Sequence, residues 1–257
     1  MKTAVVTGAA QGLGLVTATR LARAGMRVVL TDIQPLDEPL ARLRSEGLEV
    51  HGLVGDVASE TFVEQLARHV EREFAGAEVL VNNAGISLIA PAEQTTAAQW
   101  QKVMAVNLLG PFLLCQHLGA GMLRRRSGSI VNVASVAGLS GISHRSAYNA
   151  SKHGLIGLTR TLAAEWGGRA VRVNAVCPGW IKTGMDSADQ ASGAYSDQDI
   201  LDRVPLARFA RPEDVASAIL FLADGSQSGF INGASLPVDG GWSADASWES
   251  LRVRTRN

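Results

Sequence analysis

Residues 3–14 read T3-A4-V5-V6-T7-G8-A9-A10-Q11-G12-L13-G14, a short β-branched run that passes directly into a turn with three glycines. The run predicts a strand, and the amphipathic stretch after it predicts a helix. Such a turn lets the backbone approach a pyrophosphate closely, at the N-terminus of the helix. A glycine turn alone is weak evidence of a ligand, but its place between a strand and a helix indicates a dinucleotide site.

The same alternation of short apolar runs and longer amphipathic stretches continues along the chain. We predict strands over Thr3–Thr7, Arg27–Asp32, Glu49–Val54, Val79–Asn82, Ser129–Ala134, Val171–Val176 and Ala234–Val238. We predict helices over Gly14–Arg23, Thr61–Phe74, Trp100–Leu123, Ala147–Trp166 and Pro212–Leu222. Several strands are continuously apolar, which is typical of parallel strands covered by helices on both faces. The predicted fold class is therefore α/β, a single-domain Rossmann-like doubly wound parallel sheet of about seven strands. Its ligand cleft is expected at the carboxyl ends of the strands.

Length and composition fit one domain over residues 1–257. The 257 residues are 46% hydrophobic, which is enough for one large core. From Trp180 to Arg211 the chain is polar, contains Gly184, Gly193 and Pro205, and shows no clear periodicity. We predict that about residues 180–211 form a mobile lid over the cleft.

The charge and cysteine content argue against several classes of protein. The 24 basic residues balance 24 acidic ones, so we expect no polycationic surface that would bind nucleic acid or anionic lipid. Two distant cysteines and five unclustered histidines indicate neither a disulfide framework nor a metal site. No apolar run approaches the roughly 18 residues of a spanning helix, and the first run is too short for a secretory signal. We therefore expect a cytoplasmic protein with no metal, nucleic-acid or membrane partner.

Asp32 ends the second predicted strand, 18 residues after Gly14. A carboxylate at this position accepts hydrogen bonds from an adenosine ribose and repels a 2′-phosphate. The residues that follow, Ile33 and Gln34, supply no cation for such a phosphate. NAD is therefore favoured over NADP as the cofactor, and an ordinary turn residue before Pro35 is the alternative interpretation of Asp32.

Ser135, Tyr148 and Lys152 form the strongest group of candidate catalytic residues. Tyr148 and Lys152 are four residues apart and share one helix face, and Ser135 follows a predicted strand at the cleft edge. A free tyrosine has a pKa of about 10, and a nearby ammonium group favours its phenolate. These residue types suit proton exchange with a substrate oxygen that Ser135 holds by a hydrogen bond. The alternative is a capping serine with a surface pair, but a chance match is rare in a chain with two tyrosines.

Over essentially its full length the chain resembles the short-chain dehydrogenase/reductase family. The matching segments are T7-G8-A9-A10-Q11-G12-L13-G14, Asp56-Val57, N82-N83-A84-G85, Asn107, Ser135, Y148-N149-A150-S151-K152, P178-G179-W180-I181-K182-T183 and D239-G240-G241. Gln11 and Leu13 depart from the residues more common in the family's glycine loop, which binds through its backbone. The resemblance implies a Rossmann-type NAD(P)-binding catalytic domain. It also implies a homotetramer or homodimer built on the helices at Trp100–Leu123 and Ala147–Trp166.

The resemblance assigns roles to individual residues as well. It implies a catalytic group of Asn107, Ser135, Tyr148 and Lys152, in which Asn107 fixes a water that relays protons from Tyr148 to solvent. It implies a cofactor site that includes Gly8, Gln11, Gly12, Leu13, Gly14, Asp32, Ile33, Asp56, Val57, Asn83, Ala84, Gly85, Tyr148, Lys152, Pro178, Gly179, Ile181 and Thr183. Specificity is expected in residues 139–147 and in the lid. There His144 is a candidate substrate contact, although an isolated histidine is more often structural.

The sequence thus predicts an NAD-dependent oxidoreductase that interconverts a small-molecule secondary alcohol and a ketone, with Tyr148 as general acid/base. One alternative is an NADP-dependent ketoreductase, for example of 3-oxoacyl thioesters. An alternative of another class is a catalytically silent NAD-binding regulatory protein, against which the complete catalytic group argues. Sugar alcohols, hydroxy acids, cyclic ketones and acyl thioesters all remain compatible with the sequence as substrates.

Overall fold

The protein is built on a seven-stranded sheet in which every neighbouring pair of strands is parallel. The computed structural model describes residues 1–182, 195–248 and 251–252. The strands are β1 Thr3–Thr7, β2 Arg27–Asp32, β3 Val50–Val54, β4 Val79–Asn82, β5 Gly128–Val133, β6 Val171–Pro178 and β7 Ser235–Val238. Their order is β3-β2-β1-β4-β5-β6-β7, so the direction of winding reverses between β1 and β4. This confirms the predicted doubly wound sheet and places the reversal, where ligands bind in such folds, beside the glycine turn.

Helices cover both faces of the sheet. In the described part of the chain they are α1 Gly12–Arg23, α2 Asp37–Ser45, α3 Glu60–Phe74, α4 Ala97–Met104, α5 Gly110–Arg125, α6 Ser146–Trp166, α7 Asp197–Arg203, α8 Pro212–Ala223 and α9 Gly225–Ser228. Side chains of β1 alternate between the two layers, because successive strand residues point to opposite faces. Ala4 and Val6 pack in the layer of α1, α2 and α8, whereas Val5 packs in the layer of α3, α5 and α6.

Three helices in the described part of the chain were not predicted from the sequence, and the shortest of them, α9, has only four residues. Helix α2 has nine residues and buries few apolar side chains, chiefly Leu40 and Leu43, so its periodicity is too short to detect. Helix α7 lies inside the expected lid and begins with a capping box, in which Ser196 and Asp199 each bond the other's backbone amide. The segment expected to be a mobile lid therefore contains regular structure at its C-terminal end, while residues 183–194 lie outside the described part of the chain.

The stretch predicted as one helix over Trp100–Leu123 is longer than expected and is interrupted. Helices α4 and α5 are joined by a π-helical turn, Ala105–Leu109, and together form one run of 29 residues, Ala97–Arg125. By length and composition this run could cross a membrane, contrary to the expectation from the sequence. Half of its most apolar window is buried inside the protein, and α5 packs against α3. Packing in the core thus accounts for its apolar composition.

Candidate active site

A cleft of about 610 Å³ lies at the carboxyl ends of the strands. It is lined by most of the residues that the sequence assigned to a cofactor or to catalysis, namely Gly8, Gln11, Gly12, Leu13, Gly14, Asp32, Ile33, Asp56, Val57, Asn83, Ala84, Gly85, Ser135, Tyr148, Lys152, Pro178, Gly179 and Ile181. Asn107 lies behind this lining, and Thr183 falls outside the described residues. The structure therefore brings segments from six strand ends to one cavity.

The glycine turn after β1 is fastened to the segment after β4. The hydroxyl oxygen of Thr7 accepts hydrogen bonds from the backbone amides of Asn83 and Ala84, at 3.0 and 2.9 Å. In return, the side-chain amide of Asn83 donates to the carbonyl oxygens of Thr7 and Gly8. Gly14 closes the turn from the helix side, where a Cβ atom would lie 2.0 Å from the carbonyl oxygen of Gly8. These contacts leave no room for a side chain at Gly14 and hold the turn open toward the cleft.

The N-terminus of α1 is suited to an anion. Its N-cap residue, Gln11, makes no side-chain capping bond within the described structure, and the first turn of the helix contains no acidic residue. The first amide groups of α1 and the positive end of its dipole therefore face the cleft. Gly8, with φ of +64°, turns the chain so that this end is accessible. The arrangement fits the pyrophosphate of a dinucleotide.

Asp32 lies at the end of β2, across the glycine turn. Its carboxylate accepts hydrogen bonds from the backbone amides of Ala10 and Gln34, both at 2.9 Å. These bonds fix one oxygen toward the turn and the other toward the loop after β2. The neighbouring Ile33 is 64% exposed and also lines the cleft. The fixed carboxylate and its apolar neighbour form the wall at which an adenosine ribose would lie.

Lys152 is a buried cation beside Tyr148 on helix α6. Its ammonium group donates a 2.8 Å hydrogen bond to the carbonyl oxygen of Val133 and lies 5.6 Å from the centre of the Tyr148 ring. Burial lowers the pKa of Lys152 to about 8. Tyr148 is half-buried and lines the cleft. The spacing of four residues thus places both groups on the cleft side of α6, as predicted.

Ser135 faces this pair from the end of β5. It caps a short 3-10 turn, Val136–Gly138, by accepting a 3.1 Å hydrogen bond from the amide of Ala137. Gly138 sits so close to α6 that a Cβ atom would lie 2.8 Å from the carbonyl oxygen of Lys152. This close packing holds the turn that carries Ser135 against the helix that carries Tyr148.

Asn107 occupies the π-helical turn between α4 and α5 and is fully buried. Its side-chain oxygen accepts from the amide of Ile86, and its side-chain nitrogen donates to the carbonyl of Ile86 and to the hydroxyl of Ser151. A Cβ atom on Gly85 would lie 3.4 Å from Asn107 Oδ1 and 3.6 Å from Lys152 Nζ. Asn107 therefore ties the segment after β4 to α6, directly behind Lys152. Single π-helical turns of this kind are frequent at functional sites.

Arg145 is a cleft residue to which the sequence assigned no role of its own. It directly precedes α6, is 9% exposed, and donates a 2.8 Å hydrogen bond to the hydroxyl of Ser87. Its neighbour His144, considered as a substrate contact, is exposed and is absent from the described cleft lining. A signal for Arg145 was present in its spacing, because a residue three positions before Tyr148 lies near the same helix face. Its burial could not be read from the sequence.

One group of side chains in the described part of the chain could share a cation. Ligand atoms of Glu60, Glu64 and His117 lie within 4.8 Å of one another on α3 and α5. Glu60 is exposed, and none of the three lines the cleft. The group therefore contributes nothing to the predicted cofactor and catalytic sites.

Comparison with known proteins agrees with the fold. A family model described as enoyl-(acyl carrier protein) reductase matches residues 8–243. The chain is 39% identical over 246 residues to a D-threitol dehydrogenase of Mycolicibacterium smegmatis, covering 94% of this chain and 92% of the relative. It is 39% identical over 241 residues to a 3-oxoacyl-[acyl-carrier-protein] reductase of Synechocystis, covering 93% and 95%.

A solved structure extends this similarity to three dimensions. A protein of Beutenbergia cavernae, described as an NAD(P)-dependent gluconate 5-dehydrogenase and solved with bound NADP, has a TM-score of 0.90. It is 38% identical, and the match covers 95% of this chain and 97% of that one. With the glycine turn, the N-N-A-G segment and the Ser135, Tyr148 and Lys152 group at one cleft, the chain belongs to the short-chain dehydrogenase/reductase family.

Proposed function

We propose that the protein is an NAD-dependent dehydrogenase that interconverts a secondary alcohol and a ketone, over a single catalytic domain of residues 1–257. The observation that carries this proposal is that Ser135, Tyr148 and Lys152 line the same cleft as the glycine turn. The names of the relatives support it, since D-threitol and gluconate dehydrogenases act on hydroxyl-bearing carbons. A regulatory protein without catalysis would have no need of a buried lysine beside the tyrosine.

Tyr148 is proposed as the general acid/base. In oxidation the Tyr148 phenolate takes the proton of the substrate hydroxyl, and in reduction the phenol returns it to the carbonyl oxygen. The hydroxyl of Ser135 donates a hydrogen bond to the same substrate oxygen and orients it. Bound nicotinamide supplies the hydride acceptor or donor at its C4 atom.

Lys152 has two proposed roles. Its ammonium group, 5.6 Å from the Tyr148 ring centre, stabilises the phenolate electrostatically. The same group is also proposed to bind the ribose hydroxyls next to the nicotinamide. Asn107 is proposed to hold the surrounding backbone in place through its hydrogen bonds to Ile86 and Ser151. A second proposed role of Asn107 is to fix a water molecule that relays protons from Tyr148 to solvent.

The preference for NAD over NADP is proposed from Asp32. Its carboxylate is held at the cleft wall by two backbone amides, and a 2′-phosphate placed beside it would be repelled. Neither of the exposed residues after it, Ile33 and Gln34, offers a cation. The NADP found in the Beutenbergia cavernae structure belongs to that protein and makes the question worth a direct test.

Substitution of Asp32 tests the cofactor assignment. We expect Asp32→Ala to raise the ratio of kcat/KM with NADP to that with NAD by at least about tenfold, because it removes about 1.4 kcal/mol or more of repulsion. Asp32→Ala combined with Ile33→Arg should raise the ratio further, because the exposed position then supplies a cation. Ile33→Gln serves as the control for the loss of the apolar side chain. A native enzyme that prefers NADP, or an unchanged ratio in both Asp32 variants, would contradict the assignment.

The second candidate is an NADP-dependent 3-oxoacyl thioester reductase. The 39% identity to the Synechocystis reductase favours it. Assays with NAD and NADP separate this candidate from the NAD-dependent dehydrogenase, since it requires turnover of a 3-oxoacyl thioester with NADPH.

We also infer a soluble, cytoplasmic protein that works as a homotetramer or homodimer. The relatives named above support solubility, and so does the half-buried position of the long apolar run Ala97–Arg125 in the described chain.

A further inference from the structure

The turn that follows β7, residues 239–242, packs against the wall of the cleft after β6. The amide of Gly179 donates a 3.1 Å hydrogen bond to the carbonyl oxygen of Val238, and a Cβ atom on Gly179 would lie 3.0 Å from Asp239 Cα. The Asp239 side chain is buried, and its carboxylate accepts hydrogen bonds from two backbone amides of this region, both at 2.9 Å. The backbone of the turn is therefore fixed directly beside a segment that lines the cleft.

The same turn is fastened to the residues that follow α7. The amide of Leu206 donates a 3.1 Å hydrogen bond to the carbonyl oxygen of Gly240. A Cβ atom on Gly240 would lie 2.7 Å from Val204 Cγ1, and one on Gly241 would lie 3.1 Å from Pro205 Cγ. Both glycines have positive φ, +64° and +91°, so a side chain at either position would be strained as well as crowded. The turn thus joins the C-terminal end of the expected lid to the cleft wall.

The side chain of Trp242, the last residue of the turn, continues this connection. Its ring centre lies 5.2 Å from that of Trp180, a distance typical of favourable aromatic pairs. The guanidinium of Arg203, the last residue of α7, lies 4.7 Å from the centre of the Trp242 ring, within the range of a cation–π interaction. Trp180 lines the cleft, as Tyr148 does. Trp180, Trp242 and Arg203 therefore form a stack, here called the tryptophan stack, from the cleft wall to α7.

Asp245 holds the outer end of the tryptophan stack. Its carbonyl oxygen accepts a 3.1 Å hydrogen bond from Arg203, and its carboxylate lies 3.7 Å from another nitrogen of the same guanidinium. Arg252 donates a 2.8 Å hydrogen bond to that carboxylate. Trp242 is half-buried, whereas Trp248, in the same C-terminal segment, is 80% exposed. Trp242 is thus held from both sides, although it is absent from the described cleft lining.

We propose that Trp242 is a positioning residue for substrate binding, which holds the Trp180 ring as a wall of the cleft and couples this wall to α7. The proposal rests on the proposed dehydrogenase function and names a residue that determines its substrate specificity. An aromatic wall of this kind packs on the apolar face of a substrate's carbon skeleton. Because Trp242 acts through Trp180, its loss weakens substrate binding and leaves proton transfer at Tyr148 intact.

Substitution of Trp242 tests the proposal by the way its effect divides between KM and kcat. With saturating cofactor and the secondary alcohol that gives the highest kcat/KM, Trp242→Leu should raise KM by about 10-fold and lower kcat by less than about threefold. Trp242→Phe should keep KM within about threefold of native, because it retains an aromatic ring against Trp180. Trp248→Leu is the matched control, since it removes an exposed tryptophan of the same segment, and it should change neither constant.

A double-variant cycle tests whether Trp242 acts through Trp180. If it does, Trp242→Leu, Trp180→Leu and the double variant should lower kcat/KM by similar factors, because the effects of residues that act together do not add. Factors that multiply in the double variant would overturn the proposal, and so would a folded Trp242→Leu with native KM or a Trp242→Phe that is equally impaired.

Arg203→Gln loosens the stack from its other end and keeps the proposal testable if Trp242→Leu does not fold. It should raise KM by a smaller factor than Trp242→Leu, about threefold, with little change in kcat. A native KM in folded Arg203→Gln would contradict the coupling of the cleft wall to α7.

A measurement without turnover separates failure of this proposal from failure of the proposed function. In protein labelled with 5-fluorotryptophan, each of the five tryptophans gives a fluorine NMR resonance, and Trp180→Phe assigns that of Trp180. Trp242→Leu should shift this resonance, and Trp248→Leu should leave it in place. A Trp180 resonance that Trp242→Leu leaves unchanged would overturn the proposal whether or not an alcohol is turned over. Turnover that persists in Tyr148→Phe would instead contradict the dehydrogenase mechanism.

Discussion

Burial of the charged Lys152 side chain lowers the folding stability of the protein by an amount that depends on pH. Burial lowers its pKa from 10.5 to about 8, so the folded protein releases this proton about 2.5 pH units earlier than the unfolded chain. Below pH 8 both states carry the proton, and the folded state bears the full cost of the buried charge, about 3 kcal/mol. Between pH 8 and 10.5 the unfolded state binds more protons, so stability rises with pH.

Replacement of Lys152 tests this linkage. We expect Lys152→Met without cofactor to be more stable to urea than the native protein at pH 7, and the difference to shrink as pH rises from 8 to 10.5. Lys2→Met, at the exposed N-terminus, controls for loss of a lysine charge and should show no such trend. A difference between Lys152→Met and native protein that stays constant across this range would contradict the buried-cation description.

The candidate catalytic residues could be predicted from the sequence because their spacing places them on one helix face or just after a strand. Tyr148 and Lys152 share a helix face, and Ser135 follows a strand, so their meeting at the cleft followed from geometry. The surroundings of Asn107 and Arg145 could not be predicted in the same way. The bonds of Asn107 to Ile86 and Ser151, and the burial of Arg145, depend on segments that meet only in the folded chain.

Elements were predicted best where they are long or continuously apolar. The strands of the sheet lie within about two residues of their predicted positions, because the five inner strands are apolar runs covered on both faces. Helices α2, α7 and α9 were missed, because four to nine residues offer too few apolar positions to define a period. The π-helical turn Ala105–Leu109 has no sequence signal that hydrophobic periodicity would reveal.

Helix α5 and the turn before it present apolar side chains to solvent. Leu109 and Phe112 are 45% and 42% exposed and lie three residues apart on one face. We expect this face to pair with a second copy of the chain, as the family resemblance implies. Phe112→Glu should therefore lower the molar mass measured by light scattering at fixed concentration, while Gln65→Glu on the exposed side of α3 should leave it unchanged. A native protein that is monomeric at micromolar concentration would contradict the expected assembly.

At the scale of the whole molecule, one reversal in the order of the strands determines where the cleft lies. Because the winding changes direction between β1 and β4, the glycine turn, the segment after β4 and the N-terminal part of α6 converge on one cleft. The sequence predicted this convergence from the alternation of strands and helices. The proposed preference for NAD over NADP depends instead on one charge, that of the Asp32 carboxylate.

The decisive experiment is the reduction of NAD at 340 nm by a panel of secondary alcohols, polyols and hydroxy acids, with native protein and with Tyr148→Phe. We expect turnover by the native protein and a loss of kcat of about 10²- to 10⁴-fold in Tyr148→Phe, the usual contribution of a general acid/base. NAD binding should change by less than about threefold, because the variant removes only a hydroxyl group. Full turnover by Tyr148→Phe, or no turnover of any alcohol by native protein that binds NAD, would contradict the proposed mechanism.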